Sequence, residues 1–160
     1  MTIKQTLKGS QVFSALSDAE LEKIAALAQE KQYEAGMAIF QEGDSAEELF
    51  VIQEGKVAGQ MILPRAQSGS GRKLTVDVMT QNEVVGWSAL VEPYTYTLTA
   101  VCLQNVKAIS ISGNKLRDLL RDNPKMGYEV VKGLIRVVAS RLNDTRQMLV
   151  SERLSLTRPE

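Results

Sequence analysis

From Met37 to Ser112 the chain is a succession of short runs rich in Val, Ile, Leu, Thr and Phe, cut at intervals by Gly43, Gly55, Gly86 and Gly113. Runs of that length between turn residues predict strands, and the stretch from about 37 to 112 reads as an all-β block. The flanks carry a different period. Upstream, Ser17 with Glu20 three residues on is a capping box, and Leu21, Ile24, Ala25, Leu27 and Ala28 form one apolar stripe. Leu7, Val12, Phe13 and Leu16 add a further helical turn or two, so that helix is predicted over about 12–29. Downstream, Leu116, Leu119 and Leu120 share a face before a stop at Asp122-Asn123. Asn123 as a cap and Pro124 at a first helical position then open a long helix predicted to reach about Glu152.

Within the β block two hairpins are predicted. Leu49 to Ile52 turns at Glu54-Gly55 into Val57 to Leu63, and Ser68-Gly69-Ser70-Gly71 forms a mobile tip leading into Leu74 to Met79. Gly43 and Gly55 fall where tight turns need positive φ. On the long helix, Val131, Leu134, Val138, Leu142, Thr145 and Leu149 recur at spacings of three and four. A seam that long exceeds what one small barrel needs to cover, which points to a second copy of the chain. The alternative is a helix folded back wholly on its own barrel.

Composition narrows the chemistry. The 160 residues suit one domain, 1–160, with 44% hydrophobic residues for its core. Nineteen basic and nineteen acidic residues cancel, leaving no global field to draw in nucleic acid or an anionic membrane. With no histidine, the commonest general acid–base group and zinc ligand are missing, so neither an enzyme nor a metal site is expected. The single cysteine, Cys102, lies in the alternating run Leu98 to Leu103 and reads as a buried strand thiol. The acidic run Glu42 to Glu48 lacks the alternating Asp/Asn ligands of a calcium loop and reads as a solvated turn. Met1 to Gln5 lacks the apolar run of a signal peptide. The most apolar stretch, Val130 to Ala139, is broken by Lys132, Gly133 and Arg136, so a cytoplasmic protein is expected.

The richest motif is Val85-Gly86-Trp87-Ser88-Ala89-Leu90-Val91, with Tyr96-Thr97-Leu98-Thr99-Ala100-Val101 beginning ten residues after its glycine. It resembles the phosphate-binding cassette of the cyclic-nucleotide-binding domains of the catabolite activator and fumarate-nitrate regulator family, which reads Gly-Glu-x-Ala-Leu and then Arg-Ala/Ser-Ala. The run from Gly36 through Ile39, Gly43-Asp44, Leu49-Phe50, Ile52 and Gly55 to Val57 is similar to that family's opening strands. Gln104 to Ser112 looks like its last strand pair. The resemblance implies a mainly β fold with flanking α: a jelly-roll-like double-stranded β-helix of about eight short strands, N-terminal helices and a long C-terminal helix.

In that family the short helix after the glycine presents backbone N–H groups to the cyclic phosphate. Gly86, Ser88, Ala89 and Leu90 keep that backbone, while Trp87 stands for the glutamate that holds the ribose and Tyr96 for the arginine that neutralises the phosphate. Thr97 follows as pocket lining. Arg141 and Thr145, in Arg141-Leu142-Asn143-Asp144-Thr145, resemble a segment that closes over the purine and are candidates for lid contacts or for the dimer seam. The implied function is a sensor module for cAMP, cGMP or another small effector, signalling through its C-terminal helices to a protein partner. Two aromatic residues in place of the charges suit a flatter, more apolar ligand. They equally suit a pocket filled with core, which makes the chain an interaction or scaffold protein. Only eight residues follow Glu152, so direct DNA binding by this chain is not expected.

Overall fold

A computed structural model describes residues 1–63 and 71–156. Its elements are α1 (Ile3–Gly9), α2 (Asp18–Ala25), β1 (Ala28–Tyr33), β2 (Ala38–Phe40), β3 (Glu48–Glu54), β4 (Val57–Leu63), β5 (Arg72–Met79), β6 (Val84–Val85), a one-turn 3₁₀ helix at Trp87–Leu90, β7 (Thr99–Cys102), β8 (Val106–Ser112), α3 (Gly113–Asp122) and α4 (Pro124–Leu156). The strands form two antiparallel four-stranded sheets, ordered β1-β8-β3-β6 and β2-β7-β4-β5. This is the jelly-roll-like architecture expected of the family, with helices before and after it.

The first sheet is the middle layer of the molecule, and the apolar runs of β3 and β8 explain why. Leu49 and Val51 of β3 and Ile109 and Ile111 of β8 face the helices, where they meet Leu7, Phe13, Leu21, Leu116 and Val130. The alternate residues Phe50, Ile52, Val106 and Ala108 face the second sheet and pack with Val57, Met79 and Cys102. A strand buried on both faces reads as a continuous apolar run, not as an alternation.

Four local expectations are corrected. Of the span predicted as helix over about 12–29 only α2 is helical, because residues 10–16 are turns, α2 stops at Ala25 and Ala28–Tyr33 is strand β1; a separate helix, α1, precedes the span. Its polar sequence Ala-Gln-Glu-Lys-Gln-Tyr carries no strand signal of its own. An edge position, with a full ladder to β8 from Ala28↔Ile111 to Tyr33↔Val106, overrides propensity. The strands therefore begin well before residue 37. The N-terminal α1 has a capping box, Thr2 with Gln5, whose signal was present but lacked a long apolar stripe.

The second correction concerns the predicted hairpin at Glu54-Gly55. The turn exists, with Gly55 at φ 100° and Gly43 at φ 91° as expected. Yet β3 pairs with β8 and β6, while β4 pairs with β7 and β5, so the chain crosses from one sheet to the other there. Third, Gln104 to Ser112 is one strand, β8, and its predecessor β7 lies in the other sheet. Finally, the Asn123 side chain caps α3 and not α4: its amide donates to the Leu119 carbonyl at 2.9 Å, and only its backbone carbonyl serves α4, accepting from the Gly127 N–H at 3.0 Å. The tip at Ser68-Gly69-Ser70 lies outside the described residues. Residues 63 and 72, at its two sides, are paired in a β4–β5 hairpin.

Helix α4 runs a little beyond the predicted end. Its first half lays Met126, Val130, Leu134 and Val137 on the body. Gly133 is the point of closest approach, since a Cβ there would stand 2.7 and 2.8 Å from the Gln11 and Val12 carbonyl oxygens. Past Arg141 the helix leaves the body, with Leu142, Met148, Leu149, Val150 and Leu154 exposed, so it does not fold back wholly on its own barrel. No helix among the described residues is long and apolar enough to cross a membrane.

Because the three nearest atoms that a new methyl at Gly133 would meet are all backbone, and all within 3 Å, they cannot yield by a rotamer change. Gly133→Ala is expected to lower stability by ~1–3 kcal/mol despite the better helix propensity of alanine. Urea unfolding checks this, and an unchanged midpoint would show that α4 is not seated on Gln11–Val12.

Candidate functional site

The cassette motif forms a sharp corner between the two sheets. β6 delivers the chain to Gly86, whose backbone is left-handed at φ 80° and caps the 3₁₀ turn Trp87–Leu90. Only glycine fits there twice over, for a Cβ would meet Phe40 and Tyr96 ring carbons at 3.1 Å and the Glu48 carbonyl at 3.2 Å. Ser88 and Ala89 are buried, and Trp87 and Leu90 are half-buried. The small size of Ala89 serves helix α3, because Gly113 lies against its methyl and carbonyl groups.

Tyr96 points into the protein interior and is 5% exposed. Its ring stacks on Phe40, centroids 3.7 Å apart and planes within 10°. The hydroxyl donates to the Glu48 carbonyl at 2.7 Å and accepts from the Glu48 N–H at 3.2 Å. Burial pushes that hydroxyl up to about 12, against the bond from the Glu48 backbone and with the nearby carboxylates of Glu48 and Glu47. Tyr96 is thus a neutral group at ordinary pH. Thr97, next to it, is exposed at the rim.

Of the two helix candidates, the structure brings Arg141 to this corner and leaves Thr145 away from it. The Arg141 guanidinium pairs with Asp77 of β5, donates to the Val84 carbonyl at 3.5 Å and lies 4.0 Å from Glu83. Burial holds the Asp77 carboxyl above its usual range even though Arg141 opposes the shift. Thr145 is exposed and donates its hydroxyl to the Arg141 carbonyl of its own helix. Gly86, Trp87, Ser88, Tyr96, Thr97 and Arg141 all line one small cavity of about 40 Å³. Pockets for drug-sized ligands run to ~300–1,000 Å³, so this one, as it stands, has the size of a site for a few waters. On its outer side, Trp87, Leu90 and Tyr94 face Ile135, Val138 and Leu142 of α4 across an apolar groove of about 730 Å³.

Three contributors escaped the sequence reading. Phe40 supplies the stacking partner of Tyr96. Asp77 had a legible signal, a carboxylate two residues before the buried Met79 and so on the inward register of its strand. Arg117 of α3, whose guanidinium donates to the Ala89 carbonyl, had none, since it looks like any polar helix residue.

A two-sheet roll with a left-handed glycine at a one-turn cassette and a long closing helix defines a β-roll class. Residues 30–123 match the cyclic nucleotide-binding domain family, and the chain belongs to that family. It is similar to a CRP-like cAMP-activated global transcriptional regulator of Mycobacterium tuberculosis, 32% identical over 129 residues covering 79% of this chain and 54% of that protein. An anaerobic regulatory protein of Bacillus subtilis is 27% identical over 128 residues, 77% of this chain and 51% of its own length. The chain therefore spans about half the length of these curated relatives. Among solved structures, a protein of Geobacter metallireducens described as cyclic nucleotide-binding superposes with a TM-score of 0.74 at 27% identity, over 89% of this chain and 99% of that one.

The raised Tyr96 hydroxyl makes a pH prediction. Unfolded tyrosine ionises near ~10, whereas folded Tyr96 holds its proton to about 12. Its contribution to stability is complete below pH 10 and is lost as pH rises to 12, because the unfolded chain deprotonates first. Tyr96→Phe should cost ~1–2 kcal/mol at pH 7 for the lost hydrogen bonds. The gap between variant and parent in denaturant midpoint should then narrow from pH 10 to 12, and a constant gap would show that the hydroxyl is not held as described.

Proposed function

We propose that this single domain is a sensor module that takes a small effector at the corner formed by Gly86, Trp87, Ser88, Ala89, Leu90, Tyr96 and Thr97, and signals through α3 and α4. It works as a binding protein in the cytoplasm and not as an enzyme. The observation that carries this reading is the position of the cassette turn, wedged between the roll and both closing helices, so that a ligand displacing Trp87 changes what α4 rests on. A cyclic nucleotide remains the family's effector class. At this corner, however, a cyclic phosphate meets Trp87 and Tyr96, and the guanidinium of Arg141 is already matched by Asp77. The site favours a flatter, less charged effector, and cAMP or cGMP is expected to bind weakly.

A second reading draws on the stacked pair Phe40–Tyr96 and the 40 Å³ cavity. In it the pocket has become core and the roll is a scaffold for a protein partner. Support for a homodimer comes from the apolar face of α4, where Val131, Ile135 and Leu142 are each at least half exposed (51%, 62% and 50%) beside the groove under Trp87.

A thermal-shift panel of cAMP, cGMP, other nucleotides and small aromatic acids, followed by calorimetry, separates the readings. A bound effector raises the melting temperature with dose, and silence across the panel at millimolar concentration leaves the scaffold reading in front. Restoring the family charges in a Trp87→Glu/Tyr96→Arg variant should improve cAMP or cGMP binding at least ~10-fold. If that variant folds by circular dichroism and still ignores both, the pocket is misplaced.

Sedimentation of the parent at micromolar concentration should show a dimer, and Ile135→Glu/Leu142→Glu a monomer. A monomeric parent would remove the dimer.

A further inference from the structure

The cassette turn meets the C-terminal helices on two sides. One side is the apolar groove between Trp87, Leu90 and α4. The other is a polar fastening to α3. Gly113, the first residue of α3, donates its N–H to the Glu47 carbonyl at 2.8 Å. It lies so close to the turn that a Cβ would stand 3.2 Å from the Ala89 methyl and carbonyl oxygen. One helical turn later on the same face, half-buried Arg117 donates to the Ala89 carbonyl and to the Asn114 side-chain oxygen. Its guanidinium also lies 4.0 Å from the centre of the Tyr94 ring.

These contacts have a common logic. The last carbonyls of a helical turn lack partners within it and favour a cation, and Arg117 supplies both a donor and a charge at the end of Trp87–Leu90. Tyr94 is a fixed platform for that charge. Its backbone is left-handed at φ 56°, its N–H donates to the Val91 carbonyl at 2.9 Å, and its carbonyl accepts from the Ala46 N–H at 2.8 Å. Only Asn123 separates α3 from α4, and its side-chain amide and carbonyl bond to Leu119 and Gly127 on either side, so the joint is short and tied at both ends.

We propose that Arg117 is the positioning residue that locks the cassette turn to α3 as one body, so that a displacement at Ala89 travels through α3 into α4 independently of the Trp87–α4 groove. An effector that moves the turn must carry α3 with it or break the contacts to Ala89, Asn114 and Tyr94. The proposal rests on the reading of residues 86–90 as the effector-responsive segment. Its test uses no effector, so its failure and the failure of that reading are distinguishable.

Trp87 is the chain's single tryptophan, and it reports from the turn itself. Arg117→Gln in the full chain should raise acrylamide quenching of Trp87 and amide exchange over residues 86–95 by ~2-fold or more, with circular dichroism unchanged. Arg117→Lys, which keeps a donor and a charge, should restore most of the parental signal. Arg121→Gln, on the same helix with its side chain 75% exposed, should leave both at parental values. Gly113→Ala, which presses α3 off Ala89, should change Trp87 quenching in the parent and much less in the Arg117→Gln background. Parental quenching and exchange in Arg117→Gln, or additive effects of the two substitutions, would overturn the proposal. Should Arg117→Gln fail to fold, Arg117→Met, which keeps an apolar stem and removes the donor and the charge, carries the comparison against Gly113→Ala, and additivity there is equally fatal.

Discussion

The geometry of the site depends on one constraint, the burial of β3 on both faces. With Leu49 and Val51 committed to the helices and Phe50 and Ile52 to the second sheet, the side chains at the centre of this strand cannot hold anything polar. The backbone at its entrance does so instead. The Glu48 main chain accepts one bond from the Tyr96 hydroxyl and donates another to it, its carbonyl abuts Gly86, and the Glu47 carbonyl receives the first N–H of α3. The Glu48 carboxylate meanwhile bonds Ser110 and pairs with Lys31, fixing three strands of the sheet at the same level. Cassette, rim and closing helix are thus indexed to two consecutive residues.

That indexing explains how the corner manages without a central charge. A cation at position 96 would have to be solvated by a ligand. Tyr96 is self-sufficient, stacked on Phe40 and hydrogen-bonded to a backbone that is present whatever occupies the corner. Charge has moved outward, to the Arg141–Asp77 pair that clips α4 to β5 and to the Arg117 contact that clips α3 to the turn. In both places the guanidinium serves the attachment of a helix.

What could be read from the chain follows the range of the forces involved. Gly43 and Gly55 were legible because positive φ is a property of one residue, and both have it. The Ser17–Glu20 box, the face of α3 and the start of α4 were legible for the same reason, as they depend on neighbours three or four residues away. Strand β1 was not, since its polar side chains belong equally on a helix and only the ladder to β8 decides. Nor could any local pattern show that β3 and β4, two residues apart, lie in different sheets. At the site, the short helical turn after Gly86 was visible in the motif. The inward turn of Tyr96 and the pairing of Arg141 were not, because their partners Phe40, Glu48 and Asp77 lie 48 to 64 residues away along the chain.

Helix α4 divides near Arg141 into a part seated on the roll and a part rich in exposed apolar residues, and the division has a mechanical meaning. From Leu142 to Leu156 the helix extends ~22 Å beyond the Arg141–Asp77 attachment, at 1.5 Å per residue. A tilt of only ~5° about that attachment would sweep the tip through ~2 Å, enough to slide a row of apolar side chains from one set of grooves toward the next. Changes too small to alter the roll itself would be legible at the far end of such a lever.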